Sequence, residues 1–326
     1  MHKQISIQEG SFSFWIDPSV VNFDDGQFQP LAQINPAGGD IFVVKDTDNA
    51  VNVFYVATDI GRINLSYDGE RLDRDKKHQI TISWKVGDSL VLFVDGVEVA
   101  REAIRDDAFF NDSLEFRSII LRYGAKLTGK VDEFERISDR HTAYYAYLKD
   151  FLVNSGVLCD DIFQAAANDA TLLAMIGSRV LIEDAINVHY IASIEDIDKR
   201  MAVAETWFKI SNDDAALKNA LDGKSVAQRA KLAGEDVQEL YKNEYALFSN
   251  YIHSSAHRSI LNLPEHRKLG GKKAIYAGLQ AYANMVTCVA SLVKQEVPEG
   301  IIKTTAPWYF NKYRDSVAKA TLDVEE

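Results

Sequence analysis

The feature that most constrains this chain is a change of hydrophobic period at Asp139-Arg140-His141. Before it, apolar residues alternate with polar ones over short windows. After it they recur every three to four positions, and alternation does not return. Period two fits a strand with one buried face, and a period of about 3.6 fits an amphipathic helix. One segment cannot satisfy both. The spacing therefore predicts a multidomain β + α chain: an antiparallel β-sandwich over 1–137, then an all-α helical bundle over 138–326. With 326 residues, 47% of them hydrophobic, there is enough apolar material for two separate cores.

In the first part, Ser11-Phe12-Ser13-Phe14-Trp15-Ile16 alternates strictly and is stopped by Asp17-Pro18. Strands are predicted at 41–44, 51–56, 63–67, 80–84, 90–94 and 97–100, with two more within 114–121 and 129–137. Gly38-Gly39, Asp48-Asn49, Gly61, Asp68-Gly69, Gly87-Asp88 and Asp95-Gly96 supply turn chemistry between them. Short strands at this spacing imply two packed sheets. In order, Phe12-Ser13-Phe14-Trp15, His78-Gln79-Ile80-Thr81-Ile82-Ser83-Trp84 and Leu92-Phe93-Val94-Asp95-Gly96 resemble the laminin-G-like, concanavalin A-like jelly-roll domains. Such domains show an early aromatic strand, a His-initiated strand ending in Trp, and a Val-Asp-Gly turn. The resemblance covers most of residues 5–137. It implies a module that recognises a protein or a carbohydrate, in some members through calcium. No carboxylate pair here is assigned to calcium; Asp24, Asp25, Asp46 and Asp48 are read as loop residues. Asp132-Glu133-Phe134-Glu135 lacks the spacing that glycosidases of this architecture use for their paired acids.

In the second part, two polar rows interrupt largely apolar helices. Arg179, Glu183 and Asn187 follow one another at i, i+4 on a helix predicted from Ala170 to about Ser193. Tyr245, Ser249, His253 and His257 do so on a later one. Buried polar groups need partners, so the rows are expected to meet. Arg179, Glu183, His253, His257 and Arg258 are then the candidate catalytic residues, the histidines as general acid or base and the arginines stabilising a charged phosphorane. Asn187, Tyr245 and Ser249 are candidate ligand-binding residues. Two histidines at i, i+4 without a third ligand do not make a metal site. No metal and no cofactor is expected.

From Tyr251 to Lys273 the chain turns basic, with Arg258, Arg267, Lys268, Lys272 and Lys273 against Glu265 alone. Gly270-Gly271 is predicted to be a loop that opens a helix at Lys272, where free N–H groups favour anions. Arg267, Lys268 and Lys272 are therefore candidates for binding RNA or another phosphorylated ligand. The whole chain carries −12, with 15 basic against 23 acidic residues in 1–137 and 21 against 25 in the remainder, which disfavours generic nucleic-acid coating. There is no Walker, dinucleotide-fingerprint or nucleophile-elbow motif.

The pattern Arg-x-x-x-Glu-x-x-x-Asn on Arg179, Glu183 and Asn187, followed by Tyr-x-x-x-Ser-x-x-x-His-Ser-Ser on Tyr245, Ser249 and His253, is similar to a bacterial helical family of unassigned function near the HEPN superfamily. It covers parts of residues 170–295. The resemblance implies a metal-independent ribonuclease or toxin of a phage-defence kind, with the β part as sensor. The Arg-to-His spacing departs from that superfamily: seven residues separate Arg258 from His266, and nine separate Arg179 from His189. Two readings stand. One is a two-domain binding/effector protein whose sandwich recognises a partner or carbohydrate while the bundle scaffolds or oligomerises. The other is the HEPN-like ribonuclease. No apolar run suits a signal peptide or a membrane span, and Cys159 and Cys288 read as small buried hydrophobes, so a cytoplasmic location is expected.

Overall fold

Strict alternation becomes strands because each residue type then meets the side it suits. The computed structural model describes residues 5–137, 142–209, 223–294 and 302–320. The chain divides into two compact units, Met1–Glu115 and Phe116–Glu326. The first contains two four-stranded antiparallel sheets. One has the order β1 (Glu9–Ile16), β6 (His78–Lys85), β7 (Ser89–Val94), β8 (Val97–Ala103). The other is a meander of β2 (Gln29–Ile34), β3 (Gly39–Lys45), β4 (Val51–Ala57) and β5 (Gly61–Tyr67). Ile41, Val43, Val53, Tyr55, Ile63 and Leu65 from one sheet meet Ile80, Ile82, Trp84, Leu90 and Leu92 from the other in a single core. Each such side chain contributes about 1.5–3 kcal/mol when fully buried. Strand β2 was absent from the sequence reading, because Pro30 and the bulge between Pro30 and Ala32 break its alternation.

The resembling motifs touch one another. His78 Nδ1 lies 2.8 Å from Asp95 Oδ2, and the Gln79 N–H donates to Asp95 Oδ1 at 2.9 Å. Asp95 and Gly96 both have positive φ, as a two-residue hairpin turn with the right twist requires. The Trp84 indole N–H donates to the Ser6 carbonyl at 3.1 Å, and its ring lies where a Cβ on Gly10 would stand.

The strands expected within 114–121 and 129–137 do not exist. Residues Ala108–Ile137 form one helix, α1, which runs through the boundary between the units. The buried side chains Phe109, Phe116, Ile120, Tyr123, Leu127 and Val131 recur at helical, not strand, spacing. The first turns of α1 belong to the β unit. There Asp112 accepts from the Arg62 N–H at 2.8 Å and Asn111 donates to the Ile60 carbonyl at 2.6 Å. Gly61, at φ +91°, keeps the β4–β5 turn close enough for both bonds; a Cβ there would stand 2.7 Å from the Asp112 carboxylate.

The second unit is helical throughout its described residues: the rest of α1, then α2 (Thr142–Ala167), α3 (Thr171–Ala192), α4 (Ile197–Lys209), α5 (Val226–Ala233), α6 (Glu235–Leu240), α7 (Ala246–His253), α8 (Ser255–Ile260), α9 (Pro264–Leu292) and α10 (Ile302–Tyr313). Asn154-Ser155-Gly156, whose turn-forming residues predict a helix end, lies inside α2, and Gly156 lets the Tyr282 ring approach. Residues 215–221, whose spacing predicts a short helix, lie outside the described residues. Gly270 and Gly271 are not a loop either; both are buried inside α9, Gly270 against Met175 and Thr171.

Small residues let α3 and α9 approach closely. Thr171 Oγ1 donates to the Arg267 carbonyl at 2.9 Å, and Ser178 Oγ to the Ala274 carbonyl at 2.7 Å. Further along, His189 Nε2 lies 3.0 Å from the Asn284 carbonyl. Numbers rise together on both helices, so the pair is parallel, whereas α2 lies antiparallel to α9 (Ile162 beside Gly278, Tyr282 bonded to the Leu152 carbonyl).

Candidate functional site

The α3 row meets the α7 row in part. Arg179 Nε donates to Ser249 Oγ at 3.0 Å, and Arg179 Nη2 to the Tyr245 hydroxyl at 2.9 Å, with the guanidinium 4.8 Å from the Tyr245 ring centre. Tyr245 in turn donates to Glu183 Oε2 at 3.2 Å. The i, i+4 spacing of Arg179 and Glu183 permits a direct ion pair, but a tyrosine bridge stands in its place. A residue the sequence reading missed closes the other side. Arg229 of α5 places Nη2 3.3 Å from Glu183 Oε1, and its Nη1 donates to the Lys224 carbonyl at 2.7 Å. No spacing rule links Arg229 to α3; the only local signal is the capping box of Ser225 and Gln228 that starts its helix.

Electrostatics follow from burial. Desolvation raises the Tyr245 hydroxyl above its ordinary value, and Glu183 beside it pushes the same way, so it remains a phenol and a donor. Arg229 is lowered by burial, against the pull of Glu183. Asp184, next along α3, is raised to about 7, first by burial and then by Glu183. Asn187 is buried with Oδ1 lacking a hydrogen-bond partner among the described residues. Glu244 and Lys273 are both buried. Burial raises the Glu244 carboxyl and lowers the Lys273 ammonium, which donates to the Ala318 carbonyl at 2.6 Å.

The histidine end of the row does not join. The expected continuous helix widens into a π-helical turn at Tyr241–Tyr245 and is broken by extended backbone at Ser254 (φ −108°, ψ 123°). His253 is exposed at the end of α7, and among the described residues it has no hydrogen bond or ion pair with Arg179 or Glu183. The His257 side chain lies outside the described residues. Arg258 and Lys268 are exposed and Lys272 is half-buried. Arg267 turns its Nε to the Leu261 carbonyl at 3.0 Å. With Gly270-Gly271 inside α9, the expected anion cradle at Lys272 is absent. The true N-terminus of that helix is Pro264, and Glu265 puts a carboxylate in its first turn.

The loop acids of the β unit carry an internal cation. The wholly buried Lys45 ammonium pairs with Asp25 and reaches Asn49 Oδ1 at 3.3 Å. That bond holds the Asp25 carboxyl below its usual range. Asp46 binds the backbone N–H groups of Asp48 and Ala50. Among the described residues no group of three or more His, Cys, Asp or Glu is placed to hold a metal.

The outward face of the β1-β6-β7-β8 sheet differs in kind. Register sets Trp15 opposite Gln79, Ser13 opposite Thr81 and Ser11 opposite Ser83, all facing away from the core. Ser13 and Thr81 hydroxyls lie 2.8 Å apart. Trp15 is 64% exposed while Trp84, on the other face, is 2% exposed. The result is a patch of hydroxyl and amide groups beside one indole.

Comparison with known proteins returns no match, whether to a protein-family model, to a curated protein or to a solved structure. What the fold and these surfaces define is a two-unit protein, β then α, among whose described residues no helix is long and apolar enough to cross a membrane.

Proposed function

We propose that this is a two-part binding protein whose β unit recognises its ligand, a carbohydrate or a protein, on the outward face of the β1-β6-β7-β8 sheet, while the helical unit serves as scaffold or effector. The observation that carries this reading is Trp15, an exposed indole beside Ser11, Ser13, Gln79, Thr81 and Ser83. A large aromatic left in water costs apolar exposure and contributes nothing to the core, which fits a contact reserved for a ligand. Neutral hydroxyl and amide neighbours suit a saccharide, whose ring carbons stack on an indole and whose hydroxyls both donate and accept. A glycan array probed with the full chain and with Trp15→Ala tests this. Binding to a defined glycan class, lost in the variant, supports it; a blank array directs the reading to a protein ligand.

A HEPN-like ribonuclease would need Arg179 free to face a phosphate and a histidine within reach of the same atom. Arg179 already holds Ser249 and Tyr245, and His253 stands apart from it, so the network fits a device that locks α3, α5 and α7 together. Burial pushes the Cys159 and Cys288 thiols up to about 12, and neither is in a disulfide, which supports placing the chain in a reducing, cytoplasmic compartment.

A further inference from the structure

Exposed sheet edges invite pairing, and natural sheets blunt them with proline, bulges, charge or cover. Three of the four edges in the β unit are blunted. Strand β2 has Pro30 and a bulge. Strand β8 has a bulge in its pairing with β7 and carries Glu98, Arg101 and Glu102. Strand β5 is held at its start by Asp112 of α1. Strand β1 has none of these. Its eight residues pair with β6 without a register shift, contain no proline, lysine or arginine, and have one charge, Glu9, at the end. Among the described residues no backbone hydrogen bond reaches its other edge. The inward-facing Phe12 and Phe14 are only half-buried. Three of the five exposed large apolar side chains described in this unit, Ile5, Trp15 and Val20, lie in β1 or within four residues of it.

We infer that β1 is an interface for a second copy of this chain, joined edge to edge and antiparallel about a twofold axis at Phe12. The strand's own chemistry selects that occupant. In this register Phe12 faces its symmetry mate, Phe14 faces Gly10, Ser11 faces Ser13 and Glu9 faces Trp15. Phe14 meets a glycine, and no acid meets an acid, whereas moving the axis to Ser13 would set Glu9 against Asp17. Within one copy Phe12, Phe14 and Trp84 form an aromatic group, with the Trp84 ring packed against Gly10, and the incoming Phe14 meets that group from the strand edge. One strand gives a contact below the standard interface size, so a micromolar dissociation constant is expected.

The test is sedimentation velocity on the full chain over a concentration series, with hydrogen exchange read at residues 9–15. The expected result is a mass that doubles with concentration and amides in 9–15 that gain protection in step. The double substitution Ser11→Lys, Ser13→Lys sets lysines opposite one another twice on the outward face. It should weaken the dimer by about tenfold or more, with unchanged circular dichroism and melting temperature. A monomer at every concentration, including one that captures an extended peptide instead, overturns the inference. So does a dimer in which 9–15 exchange as in the monomer, or one indifferent to the two lysines.

Discussion

The two units dispose of their polar side chains in opposite ways. In the β unit, Ser11, Ser13, Gln79, Thr81 and Ser83 face outward at every second position, because the pleat sends alternate residues to opposite sides. In the helical unit, half-buried Arg179 and Glu183 and buried Tyr245 pair with one another and with Arg229. A strand can show a polar face to solvent without disturbing its core. A helix largely surrounded by others, as α3 is, must satisfy its charges internally. Substitutions in the first set should therefore alter recognition, and those in the second should alter stability.

The largest expected effect sharpens this contrast within one sheet. Trp84→Ala removes a buried indole and its bond to Ser6, at a cost of about 3–5 kcal/mol in urea unfolding. Trp15→Ala, on the opposite face, should come last, within about 0.5 kcal/mol, while abolishing ligand binding. A destabilisation by Trp15→Ala comparable to that of Trp84→Ala would break the distinction between the faces.

Between them come two changes in the helical unit. Asp184 titrates at about 7 in the folded chain against 3.8 as an ordinary carboxyl, because it is buried beside Glu183. The folded state holds its proton through a range in which the unfolded state has lost it. Stability from this group is thus fully present below about pH 4 and is lost as pH rises to about 7. Asp184→Asn stays neutral throughout. Its melting temperature should match that of the parent near pH 4 and exceed it at pH 8, by the equivalent of about 2–4 kcal/mol. A constant gap across that range would remove Asp184 from the account. Tyr245→Phe leaves Arg179 and Glu183 each without their shared hydroxyl, and should cost about 1.5–3 kcal/mol. A cycle with Glu183→Gln measures the coupling; strict additivity would mean the bridge carries no energy.

Much of the β unit could be read from the chain. Seven of its strands follow alternation and turn residues, and only β2, interrupted by Pro30, escaped. Alternation misleads over α1, where short windows such as Leu114–Leu121 pass for strands. The longer spacing from Phe109 through Phe116 and Ile120 to Tyr123 and Val131 is helical. Gly124 is a helical residue beside which the Tyr282 hydroxyl sits. At the candidate site, Arg179, Glu183, Tyr245 and Ser249 were identified as a group from i, i+4 spacing alone. His253 keeps that spacing but lies at the exposed end of α7, and the further step to His257 crosses Ser254, where the helix does not keep its period.

By itself the sequence determined which stretches alternate, which wind, and which side chains share a face, because those properties depend on backbone geometry over a few neighbouring residues. Only the tertiary structure decided that Arg229 completes the Glu183 pair, that Gly270 and Gly271 serve packing of α9 against α3, and that Trp15 is left in solvent while Trp84 is buried. Each depends on a surface contributed by residues remote in the chain, and local periodicity holds no record of which remote surface arrives.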